Sequence, residues 1–202
     1  MPFYRDVIDR SLAALALIVT SPIMFLVAAI IRLDSPGPAL FRQLRVGQGG
    51  KLFWFVKFRT YYHDAKERFP ELYDYLIPPE CLRDYRFKVR DDPRATRVGQ
   101  WLRQSTLDEL PNFWNVLAGH MALVGPRPEI PEFLPNYTED QLRIFTVRPG
   151  VTGFAQISGR GWLRFEETKR YDLMHLEHKG FRNDLKILLA TVTRVVFRHG
   201  AF

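Results

Sequence analysis

The chain begins with an uncharged run, residues 12–31 (LAALALIVTSPIMFLVAAII), in which only Thr20, Ser21 and Pro22 interrupt aliphatic and aromatic side chains. Twenty such residues wound as a helix reach about 30 Å, the thickness of a bilayer's hydrocarbon core. The pattern predicts a membrane element. No small-residue cleavage site follows, and Arg32-Leu33-Asp34 leads straight into patterned sequence, which argues against a cleaved signal peptide. Pro22 removes a helical hydrogen bond and kinks the helix, so two topologies stay open on physical grounds. One is a kinked spanning helix. The other is a hairpin that dips into one leaflet and returns, with Thr20 and Ser21 satisfying the freed backbone groups. Arg5 and Arg10 before the run and Arg32 after it are the flanks expected if both ends stay on the cytoplasmic side. Asp9 and Arg10 are placed at headgroup level.

Beyond Ser35-Pro36-Gly37-Pro38, a turn by composition, the pattern predicts two short strands over 39–43 and 51–58. Their Gly47-Gln48-Gly49-Gly50 connection is a hairpin turn, since it lacks the spacing of a dinucleotide fingerprint. Residues 61–85 read as an irregular or helical insert, with Phe69, Tyr73 and Tyr75 either on headgroups or packed on the domain. Asp91-Asp92-Pro93 marks a turn and helix start. A short strand is predicted over 151–157, after the Pro149-Gly150 turn, and a charged helix over 166–178. Asn183-Asp184 reads as the cap of a last helix running to about 198. Its Leu185, Leu188, Leu189, Val192 and Val196 recur at helical spacing, while Lys186, Arg194 and Arg198 decorate the rest. That helix either packs on the core or lies on anionic lipid.

Candidate chemistry concentrates in residues 97–131. Asp108 and Glu109 stand together at the expected start of an apolar helix. Two capping arrangements account for them structurally: a Thr106-to-Glu109 capping box, or Asp108 as the cap with Pro111 in the first turn. The surroundings ask for more than capping. Arg97, Arg103 and Arg127 stand around the pair in sequence, and Pro126-Arg127-Pro128 is a rigid unit that fixes how one guanidinium is presented. Arginine suits bidentate contact with phosphate. Two carboxylates beside such a site can hold a divalent metal, or one can attack phosphorus.

Composition narrows the class without choosing the partner. The 202 residues are 47% hydrophobic, enough for one core, and the formal charge of +7 suits an anionic partner. Cys81 is the only cysteine, so no intrachain disulfide forms and a reducing setting is the simpler assumption. His175 and His178, one helical turn apart, read as part of a polar helix face rather than as metal ligands.

The motifs Arg103-x-x-Thr106-Leu107-Asp108-Glu109-Leu110-Pro111, Asn115-Val116-Leu117-Ala118-Gly119, Val124-Gly125-Pro126-Arg127-Pro128 and Arg148-Pro149-Gly150-Val151-Thr152-Gly153 resemble those of the bacterial sugar transferases. These are the monotopic polyprenyl-phosphate phosphoglycosyltransferases. Upstream, Ser35-Pro36-Gly37-Pro38, Phe41-x-Gln43-x-x-Val46-Gly47 and Lys57-Phe58-Arg59-Thr60 continue the match through nearly the whole chain. The departures are Thr106 for the usual Ser, Tyr61 for a frequent Met and Ala122 for a frequent Ser.

The resemblance implies an α+β, mostly helical fold. Residues 1–34 would be a re-entrant membrane helix hairpin broken at Ser21-Pro22. Residues 35–202 would be a small catalytic domain on the cytoplasmic face of the bacterial inner membrane, with a few short strands and interfacial amphipathic helices. It also implies transfer of a sugar-1-phosphate from a UDP-sugar to polyprenyl (undecaprenyl) phosphate with release of UMP, the first membrane step of a glycan pathway. Carried over by position, Asp108 is the nucleophile that forms a covalent phosphosugar–aspartyl enzyme. Glu109 is its partner, and the two engage Mg2+. Arg127, Arg103, Lys57 and Arg59 are candidate phosphate ligands. Arg148, Gln156 and Arg160 are candidates for the nucleotide-sugar pocket. The expected partners are the two substrates and anionic lipids, with no nucleic acid; a homo-oligomer is left open.

Two rivals stay in view. A basic lipid- or nucleic-acid-binding module explains the charge but leaves Asp108-Glu109 without a use, and no nucleic-acid motif is present. A lipid diphosphate hydrolase would turn over without any nucleotide sugar.

Overall fold

A computed structural model describes residues 3–86, 91–159, 162–178 and 180–196. Arg160 and Arg198 lie outside the described residues. In chain order the regular elements are α1 (Phe3–Asp34), β1 (Leu40–Val46), β2 (Leu52–Phe58), α2 (Ala65–Arg68), α3 (Pro79–Leu82), α4 (Arg97–Ser105), α5 (Asn112–Leu117), β3 (Ala122–Val124), α6 (Glu139–Leu142), β4 (Gly150–Thr152), α7 (Phe154–Ser158), α8 (Phe165–Glu177) and α9 (Phe181–Val196). The fold is mostly helical with small sheets, as expected.

Helix α1 continues through Ser21-Pro22 as one helical element. The reason is local. Pro22 has no N–H for the carbonyl of Ile18, and the Ser21 hydroxyl donates to that same carbonyl at 2.8 Å. Thr20 donates likewise to the carbonyl of Ala16 at 2.7 Å.

Both ends of this helix, about 48 Å long at 1.5 Å per residue, are fastened to one folded body. Near its N-terminus Arg5 pairs with Asp184 of α9, Asp6 pairs with Arg148, and Arg10 donates to the carbonyl of Leu117 at 3.2 Å. Asp6, rather than Asp9, is the partner of Arg10 within the helix, and Asp9 is buried. Ala13 enters a core with Phe53, Phe55, Val116, Met121, Leu123 and Ile187. Near the C-terminus Val27 and Ile31 pack with Phe58 and Leu102, and Arg59 holds the following turn by donating to the carbonyls of Ser35 and Pro36. The rest of the helix faces outward: Leu15, Ile18, Val19, Phe25, Leu26 and Leu33 are exposed.

Strands β1 and β2 form the expected antiparallel hairpin, with β1 extending to Val46 because Val46 also bridges to Glu129. The free edge of β2 is closed by a side chain. Asn115 accepts from the Val56 N–H and donates to the Trp54 carbonyl, mimicking a neighbouring strand with one carboxamide. A second sheet pairs β3 with β4 in parallel. The pattern gave no sign of β3, and only Gly150–Thr152 of the expected 151–157 strand is extended before α7 begins. Three residues of β3, all buried, are too short a run for period-two alternation to register.

Helix α8 matches the expectation within a residue, whereas α9 begins at Phe181, so Asn183 and Asp184 lie inside its first turn. Of its apolar positions, Ile187 is buried and Leu188 packs against the same core, while Phe181, Leu185, Leu189 and Val192 are exposed.

The Asn115 clamp yields a stability prediction. Asn115→Ala leaves a strand N–H and carbonyl without their partner, and should cost about 1–3 kcal/mol. Thermal unfolding of the detergent-purified variant should show a midpoint lowered by roughly 3–10 °C.

Candidate active site

Neither expected capping arrangement forms around Asp108 and Glu109. Helix α4, capped by Thr96 accepting from the Gly99 N–H, ends at Thr106, which adopts the left-handed conformation with φ 62°. A β-branched residue there carries about 1–2 kcal/mol of backbone strain. Leu107–Glu109 then make one 3-10 turn, and α5 starts only at Asn112, with Pro111 in the cap position and no side-chain cap. The turn is held by its neighbours: Leu107 and Leu110 pack against the cluster of Val27, Ile31, Phe58 and Leu102. The two carboxylates thus sit one side chain away from the apolar helix.

Asp108 is 5% exposed, and its Oδ2 lies 3.8 Å from Nζ of Lys57 on β2. Burial lowers the Lys57 ammonium pKa, the Asp108 and Glu109 charges oppose that, and Arg127 and Arg45 add to the lowering. The Lys57 side chain keeps a quarter of its surface open. Asp108, Glu109, Lys57 and Arg127 line one cavity of about 1370 Å³. Its wall carries ten lysines and arginines against six carboxylates, which makes it a receptacle for a polyanion.

Gln156 lines this cavity, and its buried Oε1 has no hydrogen-bond partner in the fold. Arg103 lines it too, but is engaged. Its Nη1 donates to the Tyr61 hydroxyl at 2.8 Å and to Asp92 at 3.2 Å. Arg59 reaches the cavity wall with its guanidinium committed to the Ser35 and Pro36 carbonyls, so it acts as a strut. Arg148 is a correction. It is absent from the cavity wall and pairs with Asp6 of α1, because its turn faces the start of that helix. His175, expected on a polar face, is buried beside the ring of Phe154.

Sequence reasoning passed over two charged clusters that shape this cavity. In the first, Asp92 takes a bidentate contact from Arg94, with both bonds at 2.8 Å, and further bonds from Arg103 and the Tyr61 hydroxyl. Burial would raise its carboxyl, but the hydrogen bonds from Arg94 and Tyr61 prevail and hold it well below the carboxylate range. Burial pushes the Tyr61 phenol up to about 12.

The second cluster lies behind Pro126-Arg127-Pro128. Lys169, 1% exposed, contacts Glu129 at 3.4 Å, Asp172 at 3.8 Å and the Tyr137 hydroxyl. Asp172 accepts from the Arg127 backbone N–H at 3.4 Å, and Arg45 donates to the Pro128 carbonyl at 3.1 Å. Gly125 and Gly150 cross backbone to backbone at the root of this turn, where a Cβ on either would strike the other's main chain. The Arg127 loop is therefore clamped from β1, β4 and α8. Lys and Asp at i and i+3 on a charged helix look like a surface pair, which is why the sequence hid them.

One ammonium shared by two buried carboxylates cannot fully compensate both. Burial would raise Glu129, but Lys169 and Arg45 outweigh it and keep the carboxyl below its usual range. Burial raises Asp172 to about 6 despite Lys169.

This is a cationic cavity with a carboxylate pair, built against a long apolar helix, an arrangement that suits an anionic ligand. The sequence model of the bacterial sugar transferase family matches residues 2–198, and the chain belongs to that family. It is 37% identical to the sugar transferase EpsL of Bacillus subtilis over 97% of this chain and 89% of that one. It is 36% identical to the undecaprenyl-phosphate galactose phosphotransferase of Salmonella typhimurium, over 99% of this chain and 42% of that protein. It is 38% identical to the undecaprenyl-phosphate glucose phosphotransferase of Komagataeibacter xylinus, over 96% of this chain and 36% of that protein. The chain thus spans about two fifths of the longer relatives.

Asp172 sets a pH prediction. Between pH of about 4 and 6 the folded protein keeps a proton on Asp172 that the unfolded chain, titrating near 3.8, has lost. Stability therefore falls as pH rises through that window, by on the order of 2 kcal/mol. Asp172→Asn removes this titration. Its thermal midpoint should fall less than the wild type's between pH of about 5 and 7.5, as measured by scanning fluorimetry.

Proposed function

We propose that the protein moves a sugar-1-phosphate from a UDP-sugar to polyprenyl (undecaprenyl) phosphate at the cytoplasmic face of the inner membrane, releasing UMP. The observation that carries this reading is the packing of the Asp108-Glu109 turn on α1. It brings an anion-binding cavity and an apolar helix within one side chain of each other. A water-soluble nucleotide sugar and a lipid phosphate must meet at such a junction. The names of the galactose and glucose phosphotransferase relatives support the same acceptor.

In the first displacement an Asp108 carboxylate oxygen attacks the phosphorus that bears the sugar. The new carboxyl–phosphorus bond forms as the diphosphate bridge breaks, and UMP leaves with the bridging oxygen. In the second, an oxygen of the lipid phosphate dianion attacks the same phosphorus and Asp108 departs as a carboxylate. Splitting the transfer in two avoids bringing two polyanions to one phosphorus at once. Lys57 and Arg127 neutralise the phosphoryl oxygens, and the clamped Arg127 loop supplies its charge preorganised.

Mg2+ fits the donor set. Two adjacent carboxylates line the cavity, and among the described residues no group of three His, Cys, Asp or Glu converges as a closed site. Magnesium commonly binds through one or two carboxylates with substrate phosphates completing its shell. When bound by Asp108 and Glu109 it would add charge neutralisation at the diphosphate.

The fastening of both α1 ends to one body supports a placement that enters and leaves the same leaflet, with the outward face of α1 and the α9 stripe in lipid.

UMP release by detergent-purified protein, assayed over a panel of UDP-sugars, tests the reading. Wild type should release UMP with one donor in the presence of magnesium and stop when it is chelated. Asp108→Asn should lose at least about a thousandfold of that rate. UMP formation undiminished in Asp108→Asn would overturn the assignment.

A further inference from the structure

The C-terminal turns of α1 present three faces. Val27 and Ile31 pack beneath the carboxylate turn, Leu26 and Leu33 point outward, and Ala28 and Arg32 line the same cavity as Asp108 and Glu109. Ala28 and Arg32 are four residues apart and so lie on one side of the helix. The cavity wall continues on β1 with Leu40 and Phe41, each left 38% exposed. Phe41 stands opposite Lys57 in the hairpin register. The Lys57 Nζ is 5.9 Å from the Phe41 ring centre and 3.8 Å from Asp108. Apolar surface thus runs from the lipid-facing helix to the cation beside the candidate nucleophile.

A nucleotide sugar offers one flat apolar surface, its base, whereas the exposed Leu40 continues the apolar border of Phe41 toward α1, where an aliphatic chain would lie. A cation on the last turn of an apolar helix, beside exposed aliphatic and aromatic surface, matches a phosphate carried on a hydrocarbon chain. We propose that Ala28, Arg32, Leu40 and Phe41 form the portal through which the lipid phosphate acceptor reaches Asp108, Arg32 receiving its phosphate and Phe41 bordering its chain. The inference rests on the transfer reading above and assigns these residues to the acceptor alone. Its chemical consequence is a division of labour. The portal acts only in the second displacement, in which the acceptor oxygen–phosphorus bond forms and the Asp108–phosphorus bond breaks.

The two half-reactions separate under assay, and Arg32 is exposed, so its replacement leaves the fold intact. Full-length wild type, Arg32→Ala, Arg32→Lys and Phe41→Ala would be compared in lipid nanodiscs, using a UDP-sugar that wild type turns over. The readouts are the single-turnover UMP burst without acceptor and the steady-state KM for polyprenyl phosphate. Arg32→Ala should raise the acceptor KM by about tenfold, with the burst and the donor KM unchanged, and Arg32→Lys should restore part of the loss. Phe41→Ala should shift the acceptor KM in the same direction.

An acceptor KM within twofold of wild type in both Arg32→Ala and Phe41→Ala overturns the portal, as does an equal loss in the UMP burst. Should Arg32→Ala weaken vesicle binding while the acceptor KM stays unchanged, Arg32 is a headgroup anchor and the proposal falls. A wild type that gives no burst with any donor overturns the transfer reading itself, and the portal with it.

Discussion

The structure depends on α1 being fastened at both ends to the body it anchors. Charge does this at the N-terminal end, through Arg5–Asp184 and Asp6–Arg148, and apolar packing does it at the other, through Val27 and Ile31. A single domain thus holds both ends of one long apolar helix. The outward face stays apolar and exposed, and the inward face becomes part of the protein's own core. The membrane element is therefore a structural member of the site, since the carboxylate turn rests directly on it.

A second constraint follows from placing charge beside apolar surface. Buried ions are costly unless paired, and the two clusters that flank the cavity meet that cost differently, the first by full pairing and the second by leaving Asp172 raised. Asp92 gathers Arg94, Arg103 and Tyr61 on one wall. Lys169, Glu129, Asp172 and Arg45 hold the Arg127 turn on another. Lys57, Gln156 and Arg127 line the cavity between these walls together with Asp108 and Glu109. Surroundings held this firmly fix the direction in which the cavity's charges point before any ligand arrives.

Much of this was legible in the sequence, for reasons that differ from residue to residue. The apolar run, the β1–β2 alternation and the α8 helix announce themselves because each is long enough for its period to register. Asp108, Glu109 and Arg127 were legible as a group, since adjacent carboxylates and a proline-bracketed arginine are unusual unless something needs them there. The structure brings them to one cavity. What sequence could not disclose is how arginines are spent. Arg59, Arg103 and Arg148 look alike as cations near a motif, yet one is a strut, one is shared with Asp92 and one is a clamp on α1. Only three-dimensional neighbours distinguish a guanidinium that is committed to the fold from one that is offered to a ligand.

The same limit explains Pro22. From the sequence, a proline in the centre of an apolar run reads as a break, because its two penalties, a lost donor and a steric clash, are both local. Ser21 offsets the first by occupying the orphaned Ile18 carbonyl, and the helix continues. A residue that would divide the helix in isolation is accommodated once its neighbour supplies the missing bond. The continuous helix lets Asp6 at one end and Ile31 at the other bear on a common domain. Continuity is what lets one element serve as both anchor and floor of the site.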